Sequence, residues 1–102
     1  MNLTAASTVL VQGITQPLAT YHLARMLAYG TNIVAGVSAG QGGKQIQGIP
    51  VFDLVEQACN QVGKIEVTLI FVESYSALDA ALEAIEAGIR QLIIISDGIP
   101  PL

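Results

Sequence analysis

The sequence predicts an α/β domain with three layers, in which helices cover both faces of a parallel sheet. Four short apolar runs alternate with three segments of helical periodicity, and this alternation is typical of successive βαβ units, whose strands run parallel. The apolar runs are uninterrupted, as in strands that are buried on both faces. The chain has 102 residues, of which 52% are hydrophobic, and we therefore expect one domain over residues 1–102.

The first three predicted elements are a strand, a helix and a strand. Residues 8–12 ("TVLVQ") are predicted as a buried strand. Residues 17–29 carry apolar side chains near helical spacing, with a proline suited to the first helical turn and Gly30 just beyond the end. Residues 32–37 ("NIVAGV") are predicted as the second strand. These three elements make one βαβ unit.

The middle of the chain is predicted to hold a loop, a helix and a strand. The segment 38–50 ("SAGQGGKQIQGIP") is rich in glycine and has no periodicity, so it is predicted as a loop. Asp53 opens a helix over residues 53–62, which stops at Gly63. Residues 67–72 ("VTLIFV") are predicted as the third strand.

The last part of the chain repeats the alternation. A third helix is capped by Ser74 or Ser76 and ends at Gly88. Residues 91–96 ("QLIIIS") are predicted as the fourth strand, and residues 97–102 ("DGIPPL") have the composition of a turn. One face of the third helix is predicted to be apolar and carries Leu78, Ala81, Leu82 and Ile85.

A Rossmann-like winding of these strands predicts the sheet order 3-2-1-4. The first and fourth strands are then neighbours, and the order reverses between them. Ligands of such sheets bind at this reversal, outside the carboxyl ends of the strands. Residues 13–19 ("GITQPLA") and 96–100 ("SDGIP") follow these two strands, and the loop 38–50 lies beside them. The topology therefore predicts a binding site made by these three segments.

Two common nucleotide motifs do not fit this site. A dinucleotide fingerprint places glycines where Thr15 and Leu18 stand, and an acidic residue at the end of the second strand, which holds Val37 and Ser38. A phosphate-binding P-loop has Ser or Thr where Gln45 stands. What remains is the N-terminus of a helix, which favours an anion, and a glycine loop that permits close backbone approach.

Four stretches of the chain resemble one known family. The stretches "VLVQGITQPLATYH", "AYGTNIVAGVSAGQGG", "GIPVFD" and "AIEAGIRQLIIISDGIP" are together similar, in order and with compatible spacing, to the N-terminal CoA-binding domain of the succinyl-CoA ligase (succinyl-CoA synthetase) α subunit. The resemblance implies that coenzyme A (CoA) is the cofactor. Matched by position, it implies that the nucleotide end of CoA contacts Thr15, Gln16, Pro17, Leu18, Gln41, Ile95, Ser96 and Asp97.

The same resemblance implies that the chain carries no catalytic residue of its own. In the family, the histidine that carries phosphate lies in a second domain that follows this one. His22 is a different histidine, near the start of the first helix, where packing or capping is the expected role. The resemblance thus predicts a part of an acid–thiol (succinate–CoA) ligase that is not an enzyme alone. A ligase β subunit or a second domain is the implied partner.

The first loop and the glycine-rich loop depart from the pattern of the family at three positions. Gln16 and Ala19 stand where its first loop has glycines, and Gln41 stands where it has a lysine. Two functions therefore remain open. One is a CoA-binding domain, and the other is a degenerate Rossmann-like interaction or regulatory module that has lost its ligand.

Composition excludes several kinds of partner and site. The net charge is −4 and the four basic residues are scattered, so the chain lacks the basic stripe that nucleic acid requires. The apolar runs are far shorter than the ~20 residues of a membrane span. One cysteine and one histidine are too few for a zinc site. A single cysteine forms no internal disulfide, which favours a cytoplasmic location.

The fourth strand is the predicted open edge of the sheet. In the family a further strand from later sequence pairs beside it. Without that strand, Ile93, Ile94 and Ile95 present apolar side chains together with unpaired backbone groups, which is a template for another chain. We therefore expect a homodimer or other self-association of the isolated chain.

Overall fold

The computed structural model describes residues 7–71 and 77–95. The strands are β1 (Val9–Gln12), β2 (Ile33–Val37), β3 (Gln45–Ile46), β4 (Ile49–Phe52), β5 (Val67–Phe71) and β6 (Gln91–Ile95). The helices are α1 (Pro17–Ala28), α2 (Val55–Val62) and α3 (Ala77–Glu86). No helix in the described ranges is long and apolar enough to cross a membrane. The predicted caps Ser74 and Ser76, the end of the third strand at Val72, and residues 96–102 lie outside the described residues.

All six strands form one sheet in the order β3-β4-β2-β1-β5-β6. Neighbouring strands are parallel except β3 and β4, which are antiparallel. The four predicted strands correspond to β1, β2, β5 and β6, and their mutual pairings are all parallel. The α/β class and the parallel sheet are therefore confirmed.

The order of the four predicted strands differs from the predicted 3-2-1-4. The third of them, β5, pairs with β1, and the fourth, β6, pairs with β5. The place beside β2 belongs to β4. The first half of β4 falls in the predicted loop 38–50, and the second half, Val51 and Phe52, precedes the predicted helix. Counted with β4, the parallel strands follow the order 3-2-1-4-5, so the winding is Rossmann-like with one more strand. The order reverses between β1 and β5, not between β1 and β6.

The strands β3 and β4 form a hairpin that their glycine- and proline-containing sequence conceals. Gln47 and Gly48 join them with φ angles of 51° and 82°, and positive φ at both central residues is what a type I′ hairpin turn requires. Ile46 and Ile49 are paired across this turn. Pro50 opposes a strand assignment because it has no N–H for the ladder.

Helices cover both faces of the sheet, as predicted. On one face, Ala19 and Leu23 of α1 are buried in an apolar cluster with Val9 of β1. On the other face, α2 and α3 share a cluster that includes Ala84 of α3 and Leu10 of β1. Consecutive residues of β1 thus serve opposite faces, as the alternation of side chains along a strand dictates.

The helix α2 begins at Val55, later than the predicted Asp53. The Asp53 carboxylate is directed to the glycine-rich loop, where Oδ1 accepts the N–H of Gly42 at 2.9 Å. The N–H of Val55 donates to Oε2 of Glu83 in α3 at 2.9 Å, so a side chain of the neighbouring helix satisfies the first turn of α2. The end of α2 at Gly63 is as predicted.

The helix α3 packs on the sheet through alanine. Ala84 is fully buried, whereas Leu78, Leu82 and Ile85 are 68%, 47% and 56% exposed. The predicted apolar face of α3 therefore lies mostly in solvent, because the large side chains follow the helical period on the side away from the sheet. This stripe of three residues is named the α3 stripe below.

Candidate functional site

Gly13 brings the carboxyl ends of three strands together. It follows β1 with a φ of +78°, and its N–H donates to the carbonyl of Val37 at the end of β2 at 2.8 Å. A Cβ at this position would lie 1.9 Å from the carbonyl oxygen of Phe71, the last residue of β5. Only glycine has both the required φ and the required lack of a side chain. The retained glycine of the first loop is therefore a packing requirement of the site.

The start of α1 offers backbone donors to a ligand. Gln16 is the N-cap, in an extended conformation with φ −67° and ψ 144°, and its side chain forms no capping hydrogen bond. Pro17 is at the first helical position, and the first turn has no acidic side chain. The first N–H groups of a helix have no partner within it, and the helix dipole adds positive potential there. An anion is thus favoured at this helix end.

A side-chain hydrogen bond joins the loop before α1 to the loop after β2. The Thr15 Oγ1 and Ser38 Oγ atoms lie 2.6 Å apart. Ser38 follows the last residue of β2 and Thr15 precedes the N-cap of α1. The two loops that the sequence analysis nominates therefore adjoin at one edge of the sheet.

The glycine-rich loop is fixed by backbone hydrogen bonds at both ends. The N–H of Gln41 donates to the carbonyl of Ser38 at 3.0 Å, and the N–H of Gly43 donates to that of Val51 in β4 at 2.9 Å. Between them, Gly42 approaches Asp53 so closely that a Cβ would lie 2.8 Å from the carboxylate. The loop is therefore held between β2 and β4 in a defined conformation.

A lysine and a glutamine meet within this loop. The Lys44 Nζ donates to Oε1 of Gln41 at 2.6 Å. The resemblance aligns Gln41 with a lysine of the family, and here a lysine three positions later contacts it. Beside this pair, an open cleft of about 310 Å³ is lined by Gly42, Gly43, Lys44, Gln45, Pro50, Val51, Phe52, Asp53 and Gln57.

The structure brings together part of the predicted contact set. Thr15, Gln16 and Pro17 lie at the start of α1, next to the loop that carries Gln41. Leu18 is half-buried against the core on the α1 face, so its side chain is directed inward. A ligand at this helix end would therefore contact its backbone N–H.

The remaining predicted contacts follow β6. Ile95 is the last residue of β6, is paired with Phe71 of β5 and packs against the core on the α1 face. Since β5 lies between β1 and β6, Ile95 is two strand spacings, about 10 Å, from β1. The predicted direct adjacency of the first and fourth strands is therefore wrong. Ser96 and Asp97 lie outside the described residues.

Gln12 is a supporting residue that sequence reasoning missed. It is the last residue of β1 and only 3% exposed. Its Nε2 donates to the carbonyl of Ala80 in α3 at 3.0 Å, and its Oε1 accepts the hydroxyl of Thr68 in β5 at 2.7 Å. A buried amide with both ends satisfied ties β1 to β5 and α3. The signal was an amide at the end of an apolar strand, directly before Gly13.

The contacts of His22 and the burial of Cys59 indicate structural roles for both side chains. The His22 ring stacks on Phe71 with ring centroids 6.1 Å apart and contacts the edge of Tyr21, so it packs as expected. Burial raises the pKa of the Cys59 thiol, which keeps it protonated at neutral pH and a poor nucleophile. Within the described ranges, no group of three His, Cys, Asp or Glu residues is arranged to hold a metal ion.

The family model and the curated relatives that match this chain agree with each other. The family model described as CoA binding domain matches residues 4–98. The chain is 47% identical over 94 residues to the succinate–CoA ligase [ADP-forming] subunit alpha of Staphylococcus aureus strain Mu50. This alignment covers 92% of this chain and 31% of that protein. It is 46% identical over 92 residues to the succinate–CoA ligase [ADP-forming] subunit alpha 2 of Archaeoglobus fulgidus. This alignment covers 90% of this chain and 32% of that protein.

A solved structure supports the fold alone. The crystal structure of RSP, a Rex-family repressor, aligns with a TM-score of 0.73 and 15% identity over 94% of this chain and 48% of that chain. The chain spans about a third of the length of the curated relatives that it matches.

Proposed function

The chain belongs to the family of CoA binding domains, and we propose on this premise that it binds coenzyme A at the carboxyl ends of β1 and β2. The observation that carries the proposal is the 2.6 Å contact between Thr15 and Ser38. It holds the start of α1 against the glycine-rich loop, so the unpaired N–H donors of the first helical turn lie beside this loop. The phosphates of CoA are the chemical groups that such donors favour.

The substituted glycines are compatible with this function. Gln16 has a φ of −67° and Ala19 lies within α1, and every residue type adopts these conformations. The positions of these two loops with positive φ are Gly13, Gly40 and Gly43, at 78°, 79° and 92°, and all three are glycine. Backbone donors do not depend on the identity of the side chain, so this part of the site persists.

The domain alone is not catalytic, and we propose that it is the CoA-binding part of an acid–thiol ligase. The similarity to ligase α subunits supports this role, and the chain spans about a third of their length. The phosphate-carrying histidine of the reaction would then lie in a second domain, and a β subunit would complete the enzyme. Succinate as the acid and the cytoplasm as the location belong to the same proposal.

A second candidate function is an interaction module. The α3 stripe favours it, since Leu78, Leu82 and Ile85 are about half exposed or more and contiguous apolar surface often marks a contact with another protein. The helix α3 lies on the face of the sheet opposite α1. The α3 stripe and the proposed CoA site at the ends of β1 and β2 are therefore different surfaces of the domain.

Calorimetric titration of the purified chain with CoA tests the proposed function. We expect saturable binding of one CoA per chain and much weaker binding of NAD, because Val37 and Ser38 occupy the place of the acid that holds its ribose. Absence of saturable binding at millimolar CoA would contradict the proposal and leave the interaction module.

A further inference from the structure

Lys44 is the basic side chain that lies on the loops at the carboxyl ends of β1 and β2. The chain has four Lys and Arg residues, and the other three lie elsewhere. Lys64 and Arg90 line a cleft at the amino ends of β5 and β6, and Arg25 lies in the last turn of α1. The Arg25 guanidinium is 5.2 Å from the centre of the Tyr21 ring. A ligand with several phosphates therefore meets one cation at this edge.

Gln41 holds the Lys44 ammonium in position. The Nζ to Oε1 distance is 2.6 Å. The backbone is fixed as well, since the N–H of Lys44 donates to the carbonyl of Gln41 at 3.3 Å and its carbonyl accepts the N–H of Val51 at 2.9 Å. The amide oxygen is neutral and takes one N–H donor of the ammonium, which leaves further N–H donors for an anion. The nearby Asp53 carboxylate accepts the N–H of Gly42.

We propose that Lys44, positioned by Gln41, binds a phosphate of CoA and replaces the cation that the family carries at position 41. This inference rests on the proposed function and names a residue that determines affinity within it. The side chain at position 41 here is the acceptor that orients the cation, and the lysine comes from three positions further along the loop. A hydrogen bond from an ammonium to a phosphate is stronger than one between neutral groups.

Calorimetry on four variants tests this assignment at two salt concentrations. We expect Lys44→Gln to weaken CoA binding about tenfold, the scale of one charge-assisted contact, and to reduce its dependence on salt. The transposed variant Gln41→Lys/Lys44→Gln restores both properties. Gln41→Leu keeps the charge and loses the acceptor, so it weakens binding less and retains the salt dependence. Lys64→Gln removes the same charge at the opposite edge and leaves binding unchanged.

The outcomes separate this inference from the proposed function. Parent binding of CoA together with equal affinity and salt dependence in Lys44→Gln overturns the role of Lys44 and leaves CoA binding intact. An equal loss in Lys64→Gln also overturns it, since the effect would then come from net charge alone. If the parent chain does not bind CoA, the proposed function fails and this inference fails with it.

Discussion

The hydroxyl of Thr15, just before α1, lies 2.6 Å from the hydroxyl of Ser38, just after β2. These residues are separated by the whole of α1 and β2 in the chain. Their contact makes one continuous edge of two loops, which present the start of a helix and a glycine-rich turn to the same space. The proposed CoA site depends on this adjacency.

Removing the Thr15 hydroxyl tests that adjacency. We expect Thr15→Val to weaken CoA binding about fivefold, because the loss of a hydrogen bond worth about 1 kcal/mol frees the two loops from each other. Thr15 is exposed, so no buried polar group is left unpaired and the melting temperature should fall by only a few degrees. Calorimetry and a thermal scan on the same preparation give both quantities.

Thr8→Val is the matched control for this variant. The Thr8 hydroxyl donates to the carbonyl of Lys64 at 2.9 Å and accepts the N–H of Glu66 at 3.0 Å, at the amino end of β5. This change should lower stability and leave the CoA affinity of the folded chain unaltered. Equal affinity in Thr15→Val and the parent would show that the loop contact does not shape the site.

A side chain at Gly13 should strongly destabilise the fold. In Gly13→Ala the Cβ would lie 1.9 Å from the Phe71 carbonyl oxygen at a φ of +78°. The left-handed backbone alone costs about 1–2 kcal/mol, and displacement of β5 adds to it, so we expect a loss above about 3 kcal/mol in the free energy of unfolding. Urea denaturation measures this loss.

Gly30→Ala provides the comparison for crowding. Gly30 has a φ of +84°, but a Cβ there would meet nothing within 4 Å. We expect a loss of only about 1–2 kcal/mol, the cost of the backbone conformation. Equal losses of unfolding free energy in the two variants would mean that the close approach of Gly13 to Phe71 does not contribute to the destabilisation.

The fold could be predicted from the sequence wherever one periodicity held over a whole element. Such patterns occur in the three helices and in the strands β1, β2, β5 and β6. The predicted bounds of these elements agree with the observed bounds to within a few residues. The hairpin of β3 and β4 has short strands, and Pro50 obscures its alternation. Because β4 is absent from the prediction, the predicted sheet has one parallel strand too few. The predicted order therefore reverses between β1 and β6, whereas the observed order reverses between β1 and β5.

The site was predictable in its backbone and not in its side-chain contacts. A turn at Gly13 and the start of α1 at Pro17 are indicated by local sequence, because glycine permits positive φ and proline suits the first helical turn. The contact of Gln41 with Lys44 and that of Thr15 with Ser38 depend on how loops fold against each other. No spacing rule encodes such contacts, so they had to come from the structure.

The open edge at β6 should make the isolated chain associate. Among the described residues β6 pairs only with β5, and Ile94 is 49% exposed. We expect sedimentation to show a species larger than the monomer as concentration rises, and Ile94→Lys to shift it toward the monomer. Tyr29→Lys, at a side chain 89% exposed at the C-terminal end of α1, should leave association unchanged. A parent chain that remains monomeric at hundreds of micromolar would contradict this expectation.

The most direct test of CoA binding at this edge is an NMR titration of the ¹⁵N-labelled chain with CoA, which follows each backbone amide. We expect the amides of the two loops, residues 15–19 without Pro17 and residues 38–44, to shift together with one dissociation constant. The amides of residues 63–67, at the opposite ends of the strands, should stay in place. Shifts confined to α3 and β6, or no shift in the two loops at saturating CoA, would contradict binding at this edge.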